Sequence, residues 1–237
     1  GRARMKWLRL LPLLALMGCA KFPDVRPGAS VRLVFTLTVD GTIRTGQGAG
    51  GTGVPYIYMV ALRFSDQENP TTDGPVPVVA PPWGNGFVAG QATHFVWWDP
   101  TASNEYLIYR FNNETTLTEW FPIGVPIVSD PVNTGSNRIR FEINLAQLYP
   151  TETERNALRS VQVNFLTMDR IPQTGTQKEW DALGNSLDIG SLNDAITIPL
   201  RQSAIYDNQR SGDLEPTDDQ PNPELDISDW RVEVRLQ

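Results

Sequence analysis

Cysteine and histidine are almost missing from this chain: Cys19 and His94 are the only examples among 237 residues. A single cysteine excludes an intrachain disulfide and a thiolate zinc site, and a single histidine excludes a multi-histidine metal centre. Nucleophilic catalysis of the Ser-His-Asp kind would have to use His94 alone. Positive charge is also short, since 20 basic residues against 27 acidic ones leave a net charge of −7. An acidic surface repels phosphate backbones, which argues against nucleic acid as a partner. Long apolar runs are lacking as well. The apolar stretch Leu10 to Leu16 falls well below the roughly 20 residues that span a bilayer.

That short stretch is informative in its setting. Arg2, Arg4, Lys6 and Arg9 precede or flank it, and Leu16-Met17-Gly18-Cys19 closes it. Basic cluster, short apolar region, small residue and cysteine, in that order, resemble the type II signal of bacterial lipoproteins. The resemblance implies a signal peptide at 1–18 and lipidation of Cys19 as the mature N-terminus. It implies a membrane anchor and a place in the cell envelope, on the outer membrane or cell surface. Residues 19–30 then read as a lipidated tether. Removal of four basic residues takes the net charge from −7 to about −11 and leaves 219 residues. Positions 31–237 read as one domain, large enough to bury a core without disulfides.

Alternation of apolar and polar residues dominates that region. Val31, Leu33, Phe35, Leu37 and Val39 share one face of a strand, as do Ile139, Phe141, Ile143 and Leu145, and this period of two predicts one buried face for each. Residues 55–64 are apolar on both faces, as in the centre of a sheet. Further strands are expected at 93–99, 105–111, 118–124, 161–168, 195–200 and 229–236. The glycine-rich stretch 41–53 lacks the Lys-Ser/Thr pair of a phosphate loop and reads as a flexible hairpin connection. The proline-dense stretch 69–87 permits edge strands or extended loop only. One short helix is expected around 151–158, where Thr151 and Glu154 form a capping box. About nine strands without a βαβ rhythm predict an all-β fold, a two-sheet β-sandwich of jelly-roll or immunoglobulin-like type.

Two groups of residues are candidate sites. The aromatic group comprises Trp83, His94, Trp97, Trp98, Tyr106, Tyr109 and Trp120. Adjacent Trp97 and Trp98 must point to opposite faces of one strand. Exposed aromatics would suit stacking on a sugar ring, whereas buried ones would fill the space between the sheets. Trp83 is flanked by Pro81-Pro82 and Gly84-Asn85-Gly86, a loop that would present its indole. Trp83, Trp97, Trp98, Trp120 and Tyr109 are therefore the candidate ligand contacts. The acidic group lies in 212–229, where Asp213, Asp218, Asp219 and Asp226 are candidate Ca²⁺ ligands. Calcium wants six to eight oxygens from a loop; the alternative is a solvated acidic loop.

The strand at 138–145, the short helix, the strand at 161–168 and Lys178-Glu179-Trp180-Asp181-Ala182-Leu183-Gly184 resemble carbohydrate-binding module family 9 and DOMON-like sandwiches. This resemblance covers residues 138–200 and brings no ligand residues with it. The combined expectation is a lipid-anchored envelope binding protein, not an enzyme, with a polysaccharide as ligand. The alternative is an assembly lipoprotein with a protein partner, and a glycoside hydrolase stands behind both. No cofactor is expected apart from Ca²⁺.

Overall fold

The computed structural model describes residues 30–46, 53–71, 73–79, 84–172, 177–188 and 195–237. Cys19 and Trp83 lie outside them. Fourteen strands run in chain order: β1 (Val31–Val39), β2 (Ile57–Ser65), β3 (Pro75–Pro77), β4 (Val88–Gly90), β5 (His94–Trp98), β6 (Tyr106–Phe111), β7 (Trp120–Gly124), β8 (Val128–Ser129), β9 (Arg138–Asn144), β10 (Ser160–Met168), β11 (Trp180–Ala182), β12 (Ile196–Pro199), β13 (Ala204–Asp207) and β14 (Ile227–Leu236). Two short helices, α1 (Leu145–Leu148) and α2 (Glu152–Ala157), fall between β9 and β10. None of the described helices is long and apolar enough to cross a membrane.

The fold is an all-β sandwich. One sheet has the order β13-β14-β1-β9-β8, and the other runs β11-β10-β2-β5-β6-β7 with β12 also paired to β10. Strands β1 and β9 pair with Phe35 opposite Phe141, and those rings stack at 5.3 Å. The alternation read at 31–39 and 138–145 therefore turns inward as expected, with Leu33, Phe35, Leu37, Ile139, Phe141 and Ile143 in one core cluster. From the facing sheet, Tyr58, Val60, Val96, Trp98, Val161 and Phe165 fill the other half.

Around β2 the larger sheet is covered on both faces. β2 sits between β10 and β5, which accounts for a strand apolar on both sides. Its outer face carries Met59, Ala61, Phe95, Phe111, Leu166 and Met168, packed under Phe87 and Val88. The β3–β4 hairpin lies over this face, held by buried Asn164, whose amide donates to the Pro75 carbonyl at 3.0 Å. The prolines at 75 and 77 thus fall in a short two-stranded hairpin, where a missing N–H is tolerated.

The helical expectation needs two corrections. Thr151 does cap α2 with Glu154 in a capping box, but the helix buries none of its residues. A second, one-turn helix, α1, opens where the strand at 138–145 was expected to continue. Asn144 caps it with Gln147 in a second capping box, and Leu145 and Leu148 are buried. Asn-x-x-Gln is the same reciprocal device as Thr-x-x-Glu.

Candidate functional site

Strand alternation divides the aromatic group in two. Trp98 is 1% exposed and packs edge-on to Tyr58 at 5.8 Å in the core. It is a core residue packed between the sheets, and it also lines the cleft beside Trp97. Tyr106 is also buried, with its hydroxyl donating to the Asp130 carbonyl. His94 faces the same way, between the rings of Phe64 and Tyr149 at 5.7 and 5.5 Å. Burial, aided by the Arg110 charge, pushes its pKa down to about 3, because a cation there would lose its hydration.

Trp97, Tyr109 and Trp120 take the opposite, outer face. Tyr109 is stacked on buried Phe95 with centroids 4.8 Å apart, and Trp97 lies 6.4 Å from Tyr109. Trp120 stands opposite Phe111 in the β6–β7 pair and meets Phe87 edge-on at 5.3 Å. It remains 38% exposed, while Trp97 and Tyr109 are half-buried. Trp97 and Tyr109 thus form a pair, and Trp120 is linked to them through buried Phe95 and Phe111, giving an aromatic group across β5, β6 and β7. Beside Trp97, a cleft of about 310 Å³ is lined by Tyr56, Ile57, Asp99, Asp169, Arg170 and Ile171. Flat ring faces next to carboxylate and guanidinium groups can stack on one side of a ring ligand and hydrogen-bond its rim.

A second surface feature continues from Trp120. Phe121, at 46% exposed, is followed by exposed Val125, Ile127 and Val128. These residues join the edge strand of one sheet, β7, to the edge strand of the other, β8. They form an apolar margin along the open side of the sandwich.

The acidic group is split, with Asp219 and Asp226 inside the protein and Asp213 and Asp218 exposed. Segment 213–226 is tied down at several points. Asp40 and Gly41 donate N–H bonds to the carbonyls of Asp226 and Pro223 at 2.9 and 2.6 Å. The Gln220 amide donates to the Trp180 carbonyl, and Tyr58 Oη donates to that of Glu224. A Cβ at Gly41 would stand 2.8 Å from the Pro223 carbonyl carbon, so the turn after β1 needs glycine for this approach. Glu215, Asp219 and Asp226 are buried as a consequence, and so is Asp181 of β11. A wholly solvated acidic loop is therefore not what this segment forms.

Carboxylate oxygens of Asp181, Asp219 and Asp226 lie within 4.8 Å of one another. Asp181 accepts N–H bonds from Ala182 and Ile227 and the Ser186 hydroxyl. Asp226 accepts from the amides of Asp218 and Gln220. Asp219 Oδ2 accepts from Ser186 N at 2.6 Å and Glu215 Oε2 from Gly184 N at 2.9 Å, yet Asp219 Oδ1 and Glu215 Oε1 are buried without a partner. None of the ion pairs among the described residues reaches these four acids. Two unit charges at that separation repel by about 3 kcal/mol at an effective dielectric near 20. Burial, with the Asp219 charge second, pushes Asp181 up to about 8. Burial, then the charges of Asp181 and Asp219, pushes Glu215 up to about 11. Asp219 is raised by its burial too, and by its contact with the Asp226 carboxylate.

Of the four acids singled out from the sequence, Asp219 and Asp226 join this cluster. Asp218 belongs to a more exposed group with Asp40 and Asp226, and Asp213 is exposed and outside both. Asp181 and Glu215 were not among those four. Glu215 lies in the same acidic run, but Asp181 is an isolated acid among Trp180, Ala182 and Leu183, with no local signal beyond that apolar setting. The chain matches no protein-family model, no curated protein and no solved structure.

Proposed function

We propose that this protein is a lipid-anchored binding module of the cell envelope whose ligand is a polysaccharide. The observation that carries this reading is the aromatic group Trp97, Tyr109 and Trp120 on the outer face of the larger sheet, in which Trp97 lines the cleft with Asp99, Asp169 and Arg170. Large aromatic area kept at a protein surface marks an interaction site, and rigid rings lose little entropy on stacking. The packing of His94 in the core also supports binding over catalysis, because no imidazole then faces a surface substrate. Anchoring rests on the sequence around Cys19.

The test is calorimetric titration of the protein with a panel of soluble envelope and plant polysaccharides. Trp97→Ala should weaken any binding found by about 1 to 3 kcal/mol, taking base stacking on aromatic rings as a guide. Absence of binding across the panel counts against the glycan ligand. A protein partner is the second reading, favoured by exposed Phe121, Val125, Ile127 and Val128. Phe121→Glu distinguishes the two: it should leave glycan binding intact and abolish capture of a protein partner.

A further inference from the structure

We propose that Asp181, Asp219 and Asp226, with Glu215 beside them, form a calcium site. It fastens the loop after β11 and the 213–226 segment to the start of β14. Geometry is the first support: one buried carboxylate comes from β11, one from the residue immediately before β14, and two from the segment between them. The unsatisfied oxygens are the second. Asp219 is 4% exposed and Glu215 1% exposed, and each has one oxygen bound to an amide of residues 184–186 and the other unpartnered. Buried polar atoms are rarely left so, and a bound ion is one of the few reasons for it. The Asp219 and Asp226 carboxylate oxygens also lie within 4.8 Å of each other and of Asp181, close enough to share one cation.

The donor set selects the metal. Among the described residues only carboxylates converge here, with no imidazole or thiolate, which suits a hard cation. Calcium accepts irregular oxygen cages, whereas magnesium demands a near-ideal octahedron and keeps several waters. The ion would supply the positive charge that no lysine or arginine among the described residues brings to these acids by an ion pair.

The experiment is titration of the EDTA-stripped full chain with CaCl₂ and, in parallel, MgCl₂. One Ca²⁺ should bind per chain with a Kd between about 10⁻⁴ and 10⁻³ M, the range of extracellular modules, at least tenfold tighter than Mg²⁺. Asp219→Asn should weaken calcium at least tenfold, and Asp213→Asn, at an exposed residue outside the cluster, should leave it unchanged. Circular dichroism checks that both variants fold. If Asp219→Asn does not fold, Tb³⁺ luminescence of the unmodified chain replaces it, with Trp180, adjacent to Asp181, as sensitiser. Calcium should displace that signal. Equal affinity for both metals would overturn the choice of calcium. No binding at 10 mM Ca²⁺, no displaceable Tb³⁺ signal, or unchanged binding by folded Asp219→Asn would overturn the site and leave a shared proton in its place.

Discussion

The two ends of the larger sheet reverse the usual sorting of side chains in opposite senses. At β5–β7, Trp97, Tyr109 and Trp120 keep aromatic area in reach of solvent. At β11 and the segment before β14, Asp181, Glu215, Asp219 and Asp226 put carboxylates inside. The first departure costs little, since folded proteins expose much apolar surface in any case. The second is expensive unless a proton or a cation neutralises it. Exposed aromatics can therefore persist for a ligand that comes and goes, while buried acids must be compensated as the chain folds. The first pattern suits the proposed binding surface, the second the proposed fastening inside the fold.

The largest effect sets the scale for both regions. Phe141→Ala should cost about 3 to 5 kcal/mol in urea melts, because Phe141 is buried against Phe35 and Tyr106. A change below 0.5 kcal/mol would take that strand out of the core. Next comes calcium. At a concentration a hundredfold above its Kd, added Ca²⁺ should stabilise the chain by about 2.7 kcal/mol, with EDTA reversing the gain. Identical melts with and without chelator would remove the fastening from the acidic end and with it the contrast drawn above.

His94 sharpens the comparison, because it is a buried ionisable group that stays neutral instead of pairing. Its folded pKa, held near 3 by burial and then by Arg110, lies below the unfolded value of 6.5. As pH falls below about 6.5 the unfolded chain takes up a proton that the folded chain refuses. The stability that neutral His94 contributes is thus complete above pH 6.5 and lost as pH drops toward 3. Between pH 6.5 and 5 the loss should reach about 2 kcal/mol. His94→Gln should flatten that part of the profile. An unchanged slope in the variant would mean that other groups cause the acid sensitivity.

How much of this was legible beforehand depends on whether a signal is local. The alternation in VRLVFTLTV and RIRFEIN and the Thr151 capping box each lie within one short window, and each forms as read. β3, β4, β8, β11 and β13 have two to four residues apiece, too few for a periodicity, and exist by pairing with neighbours. Within the aromatic group, sequence required Trp97 and Trp98 to part. Which indole enters the core follows from the Val60–Val96 register between β2 and β5 and from the sheet packed opposite. The acid cluster was half visible. Asp219 and Asp226 stand in a conspicuous acidic run, whereas Asp181 joins them from 38 residues earlier through β11 and its pairing with Thr167. Such a site is written in topology.

The most direct test sets neighbouring Trp97 and Trp98 against each other, with urea melts and polysaccharide titrations on Trp97→Ala and Trp98→Ala. Trp98→Ala should lose about 3 to 5 kcal/mol of stability, as for other buried aromatics. Trp97→Ala should change stability by less than about 1 kcal/mol, a surface-like value, while losing most of its ligand affinity. That split is what an aromatic group on the outer face entails. Equal destabilisation by both substitutions, or full ligand affinity in Trp97→Ala, would contradict it and place the binding surface elsewhere.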